Sequence, residues 1–256
     1  MCKIHDRNVE SENKTVKKKF INLYKIKNEK QMKKLLFLIL LVSTAGFSQA
    51  FMEFQFDAKR GTEDAIFALT DEFWGEAEFK SGGINIESIN IGNEKSSHRV
   101  LLYGDPANWG RVDTMNVNRD KWEAFAQKLN NHIEDWTHSS SGHILSWESD
   151  ESDDYKYIQI YDLIAYDQDA FQAAHDKIVK KFSDTMEGRA VGFGTYQIGG
   201  YKGATHWVGV AYKNWSDLMT KTKELQNRKK EWAEYYQNRG KVQSIRNYTI
   251  YVEKSY

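Results

Sequence analysis

The chain has 256 residues, with 36 Lys+Arg against 36 Asp+Glu, one cysteine and one proline. Residues 1–50 hold 11 of the basic and 4 of the acidic residues, so the remaining 206 carry 25 and 32, a net charge of −7. That balance argues against a nucleic-acid partner, which calls for a basic face, and with Cys2 the only cysteine no disulfide can staple the fold.

Residues 1–31 are rich in Lys, Asn and Glu and have no apolar period. They read as a non-native or disordered extension, with translation expected to begin at Met32. Met32 through Ala50 then has the three parts of a secretory signal peptide: basic Lys33 and Lys34, the apolar run Leu35 to Val42, and small Ser48 and Ala50 around Gln49. The apolar run is far shorter than the roughly 20 residues that a membrane-spanning helix needs. Cleavage is expected to leave Phe51 first, with no cysteine there to carry a lipid. A periplasmic or secreted product, free of the membrane once the signal is removed, is the expectation.

Beyond Phe51 the elements fall in a regular order. Phe51 to Phe56 alternates like a strand, and Thr62 is placed to cap a helix running to Trp74. Strands at Gly83 to Ile91 and His98 to Tyr103 follow, joined by a polar turn at Gly92 and Asn93. A helix from Arg119 to Trp136 and a short strand at His143 to Trp147 complete a first unit, 51–147. The acidic stretch 148–155 reads as a solvated linker rather than a Ca²⁺ loop, because it lacks the regular ligand spacing and central glycine. In the second unit, 156–256, strands are expected at Tyr157 to Leu163, Ala190 to Ile198, Thr205 to Tyr212 and Val242 to Val252. Helices are expected from Ala170 to Met186 and from Ser216 to Asn238, stopped by Gly188 and Gly240.

The two units echo each other. Ile91, Gly92, Lys95, His98 and Val100, followed by Asn108 and Trp109, recur as Ile198, Gly199, Lys202, His206 and Val208, followed by Asn214 and Trp215, with one inserted residue. Each unit reads β-α-β-β-α-β, the ferredoxin-like order. The predicted fold class is therefore α+β: two tandem ferredoxin-like βαββαβ repeats packed sheet to sheet. In this arrangement the chain resembles the tandem dimeric α/β barrels of the antibiotic-biosynthesis-monooxygenase-like superfamily. The resemblance lies in element order and duplication, so it transfers no functional residue.

Strand alternation puts His98, Val100 and Leu102 on one face and Arg99, Leu101 and Tyr103 on the other; His206, Val208, Val210 and Tyr212 similarly oppose Trp207, Gly209 and Ala211. His206 and His98 are the candidate catalytic residues, as general base or haem ligand, although their valine neighbours suit a face turned to helices. Arg99, Tyr103, Trp207 and Tyr212 are the candidate ligand-binding residues, with small Gly209 and Ala211 leaving room beside a large aromatic. His132, Asp135, His138 and His143 cluster in sequence, but no metal-binding frame such as HExxH organises them, and no metal site is assigned.

No GxSxG, phosphate-binding GxxxxGK[ST], HExxH or cysteine nucleophile occurs beyond residue 50. The leading functional expectation is an exported binding protein for a small apolar or aromatic molecule held between the sheets, its cofactor, if any, unspecified. The rivals are a cofactor-independent monooxygenase or haem-handling enzyme of the resembled type, and a structural or interaction protein of the cell envelope.

Overall fold

A computed structural model describes residues 49–92, 95–112, 119–148, 154–186 and 188–256. The N-terminal extension, nearly all of the signal segment and residues 149–153 of the acidic linker lie outside the described residues. The elements are β1 (Gln49–Ala58), α1 (Glu63–Trp74), β2 (Gly83–Ile91), β3 (His98–Gly104), α2 (Arg119–Asn130), β4 (Ile133–Glu148), β5 (Tyr157–Ala165), α3 (Gln168–Lys181), α4 (Ser183–Met186), β6 (Val191–Ile198), β7 (His206–Tyr212), α5 (Trp215–Gln226), α6 (Lys229–Asn238) and β8 (Val242–Ser255).

Local chemistry fixes most boundaries. Asp167 and Asn214 cap α3 and α5 by accepting the amides of Ala170 and Asp217, which otherwise lack helical partners. Thr62 does not cap α1 in this way: its hydroxyl instead donates to the carbonyl of Lys59 at 2.7 Å. The helix expected to run to Trp136 stops at Asn130, because from Ile133 onward the backbone enters a ladder with β1, Ala58 opposite Ile133 and Phe56 opposite Trp136. The long helix expected over 216–238 is two helices, broken at Asn227 and Arg228, where the Trp232 indole N–H takes the Leu225 carbonyl at 2.7 Å.

Among the described residues eight strands pair antiparallel and close into a barrel in the order β1-β3-β2-β8-β5-β7-β6-β4. The first four strands thus stand as β4-β1-β3-β2 and the last four as β8-β5-β7-β6. The sets do not stack as open layers: β2 pairs with β8 and β4 with β6, so no edge keeps a row of unpaired N–H and C=O groups. Gly92 and Gly199 make the seams possible. Both have positive φ, 89° and 71°, and a Cβ on either would stand 2.4 Å from a carbonyl of the adjoining strand, that of Asn247 or Ser139.

Helices cover the outer face. Around α1 and α2, Phe56, Ile66, Phe125, Leu129 and Ile133 are buried together; around α3, Leu163, Ala165, Phe171 and Phe193 are. Among the described residues no helix is long and apolar enough to cross a membrane.

Candidate functional site

The barrel has two faces, and each carries a cavity. On β1 the polar residues turn inward: Glu53 and Gln55 are buried in the lumen while Phe54 on the outer face is 38% exposed. This inverts the usual reading of an alternating strand, and a buried ionic network accounts for it. Arg99 Nη1 donates to Glu53 Oε2 at 2.9 Å and Arg99 Nε to Glu87 Oε2 at 2.5 Å; Ser140 donates to Glu53 Oε1 at 2.8 Å. Across the lumen, Arg246 Nε and the Tyr196 hydroxyl donate to the two oxygens of Asp162, at 2.6 and 2.7 Å. Burial pushes the carboxyls of Glu87 and Asp162 above their ordinary values, against the pull of Arg99 and Arg246 respectively.

Beside this network lies a cavity of about 190 Å³, walled by Phe51, Leu101, Tyr103, Ile144, Trp147 and Trp207 among others. Arg99, Tyr103 and Trp207, three of the residues singled out by alternation, line it together. Tyr212 does not: it faces outward, towards the helices. The indole of Trp207 lies flat against β6, where a Cβ on Gly194 would stand 2.6 Å from its ring.

The second cavity is larger, about 810 Å³, and lies between the outer face of β5–β8 and helices α3, α5 and α6. Its wall is mostly apolar, including Ile178, Phe182, Val208, Val210, Leu225 and Trp232. His175 of α3 belongs to this wall. Its Nε2 is buried without a hydrogen-bond partner, and burial alone lowers its pKa to about 4, so it is neutral at ordinary pH. Lys229 and Arg239 stand on the same wall, and among the described residues no carboxylate does.

His98 and His206 occupy matched seats outside both cavities. His98 stacks on Phe56 at 5.5 Å with its Nδ1 2.9 Å from the Ser97 hydroxyl; His206 stacks on Phe193 at 5.6 Å with its Nδ1 2.8 Å from the Thr205 hydroxyl. Burial holds both below the usual histidine range. Each therefore faces the helix layer as a neutral, aromatic-packed side chain. His132, Asp135, His138 and His143 are not a helical cluster, since Ile133–Glu148 is a strand that sends alternate residues to opposite faces. Among the described residues no three His, Cys, Asp or Glu side chains gather as metal ligands would.

Two solved structures share this architecture. A monooxygenase-like protein from Lactobacillus acidophilus superposes with a TM-score of 0.58 at 12% identity, over 81% of this chain and 95% of that one. Another, from Fusobacterium nucleatum, gives 0.53 at 14%, over 81% and 94%. The chain has the dimeric α/β-barrel fold. At such identities the likeness is one of fold alone, and no protein-family model and no curated protein matches the chain.

Within this dimeric α/β barrel the residues missed by sequence reasoning are the inward carboxylates and His175. The signal for His175 was present: Phe171, His175, Ile178 and Phe182 recur at helical spacing, which sets the histidine on the buried stripe of α3.

Proposed function

We propose that this dimeric α/β barrel is an exported protein that binds an apolar or aromatic molecule in the cavity between helices α3, α5 and α6 and the outer face of the second four strands. The observation that carries the reading is the pairing of about 810 Å³ of mostly apolar space with one neutral, unpartnered imidazole, that of His175. Such a cavity is of ligand size, and a few polar groups on an apolar wall are what orient a bound molecule. The lumen cavity, at about 190 Å³, has room for no more than a single ring with one or two further heavy atoms, so a larger molecule of this class is placed behind the helices. The segment Met32 to Ala50 supports export. Tandem duplication of a ferredoxin-like unit is supported by the repeated strand order, by the paired seats of His98 and His206, and by the seam glycines Gly92 and Gly199.

The two similar structures are named for monooxygenases, which supports an oxidative reading as the second possibility. His175, not His98 or His206, is then the residue to consider, because it alone of the three lines a large cavity. A neutral imidazole in an apolar wall can accept a hydrogen bond from the hydroxyl of a bound phenol. Haem also fits the residues present: Nε2 of His175 lacks a partner, and Lys229 and Arg239 on the same wall suit carboxylate groups. When bound, haem would supply one-electron and oxygen chemistry, with His175 as its holder.

Native mass spectrometry of the protein purified from cells, then denatured to release what it carries, tests the reading. A stoichiometric apolar or aromatic molecule, lost when Val210→Trp fills the cavity, is the expected result. An empty protein that also fails to bind 1-naphthol, or a ligand retained in Val210→Trp, would overturn it. A Soret band that disappears in His175→Ala selects the haem version.

A further inference from the structure

The lumen cavity is chemically unlike the cavity behind the helices. Five aromatic rings stand on its wall, those of Phe51, Tyr103, Trp147, Tyr196 and Trp207. Phe51 meets Tyr196 and Trp207 edge to face, at 5.9 Å in both cases. The strand behind the indoles is stripped of side chains to seat them: a Cβ on Gly192 would stand 2.3 Å from the Trp147 ring and 3.0 Å from the Trp207 ring. Trp147 is 45% exposed, which puts the mouth of the cavity at its indole.

The charges on the wall do not balance. Glu53 and Glu87 line the cavity, and among the described residues Arg99 is the only cation on that wall, held at 2.9 and 2.5 Å. Asp162 and Arg246 pair with each other and do not line it. His138, whose Nε2 is 4.0 Å from Glu53, is held below the usual histidine range by burial, so it adds no compensating charge near neutral pH. Two carboxyls therefore share one guanidinium in a water-poor, aromatic-walled space, where burial and the neighbouring Glu53 both favour a proton on Glu87 that a bound cation would displace. Two further wall residues have an unpaired polar atom: Asn85 Oδ1, an acceptor, and Nε1 of the nine-tenths buried Trp207, a donor.

We propose that the barrel lumen is a second, independent ligand site, which takes a small monocyclic organic ammonium between Trp147 and Trp207, with its charge towards Glu87 and Glu53. Aromatic faces and a carboxylate both attract a cation. Size sets the limit: a cavity of about 150 Å³ holds benzene, so about 190 Å³ admits one ring and one or two more heavy atoms.

Calorimetric titration of the full protein with benzylamine, benzyl alcohol and benzoate tests this. Benzylamine should bind at least about tenfold more tightly than its neutral isostere, and benzoate should not bind. Glu87→Gln should remove most of that preference while leaving the alcohol's affinity unchanged. Because that substitution disturbs a buried ion pair and could prevent folding, Trp147→Ala at the exposed mouth serves as the second variant, and should weaken the amine more than the alcohol. The titrations are made in the Val210→Trp background, so that binding in the cavity behind the helices does not contribute. Benzylamine that fails to bind, alcohol or benzoate that binds as tightly as the amine, or an amine affinity unchanged in both lumen variants would overturn the proposal.

Discussion

The two halves of the barrel share a strand order and a histidine seat, yet the space behind their sheets is used differently. Behind the first four strands, Phe73 stacks on Phe125 at 4.2 Å, and Trp74 and Trp122 pack against the same pair, so aromatic rings fill the layer. Behind the last four, α5 and α6 are separate helices and about 810 Å³ stays open beside His175. The lumen divides the other way: the first half supplies Glu53, Glu87 and Arg99, and the second supplies Trp207 with the glycines that seat it. One strand order, present in both halves, thus goes with a filled half and an open half. Function is to be sought where the halves differ.

The largest expected effect tests that difference directly. Phe125→Ala should cost about 3–5 kcal/mol, because the stacked aromatic layer cannot collapse around the void. Ile178→Ala, on the wall of the open cavity, should fall at the low end of the aliphatic range, about 2 kcal/mol, since much of its surroundings is already empty. Urea unfolding of the two variants measures both. Equal losses would mean that the second half is packed as tightly as the first.

A smaller effect reads the open half through pH. His175 titrates at about 4 in the folded protein, depressed by burial from 6.5, so the unfolded chain takes up its proton first as pH falls. The stability tied to the neutral ring is complete above about pH 6.5 and is lost progressively down to about pH 4. That window of roughly 2.5 units corresponds to about 3 kcal/mol at most. Stability measured by denaturant titration at pH 7 and pH 4 should show this acid loss, and His175→Phe should remove most of that part of it. His98 and His206, also depressed by burial, act in the same direction and should leave a residual slope. An unchanged acid loss in His175→Phe would place the cost on those two instead.

Much of the fold was legible because strand alternation and helix punctuation are local. The strands near His98 and His206, and the placing of Arg99, Tyr103 and Trp207 opposite them, follow from a period of two. The lumen charges were not legible. Glu53 alternates with Met52 and Phe54 and reads as a solvent face, and only partners 46 and 87 residues away, Arg99 and Ser140, reverse it. The overrun of α2 has a similar origin: Ile133 and Trp136 fit a helical stripe as well as a strand, and pairing with β1 decides between them. The open cavity follows from how α5 and α6 part at Asn227, which depends on tertiary contacts and not on propensity.

The smallest effect concerns the seats that the halves share. Ser97 Oγ accepts the amide of Ala58 at 2.7 Å and sits 2.9 Å from His98 Nδ1; Thr205 Oγ1 accepts the amide of Ala165 at 3.1 Å and sits 2.8 Å from His206 Nδ1. In each case one hydroxyl ties the end of a strand to a buried imidazole. A hydroxyl has one proton and two lone pairs, so each can accept the strand amide and still bond the Nδ1 of its imidazole. The pair then works as two copies of one structural joint, so Ser97→Ala and Thr205→Ala should each cost about 1–2 kcal/mol, equal to within about half of that. Neither should alter ligand binding behind the helices. If His206 instead acted as a base on a bound molecule, removing its hydroxyl partner would change its basicity and shift the pH profile of binding or turnover in Thr205→Ala alone. Unequal behaviour of the two variants would therefore break the symmetry that the structure assigns to these histidines, and equal behaviour would leave His175 as the imidazole that distinguishes the halves.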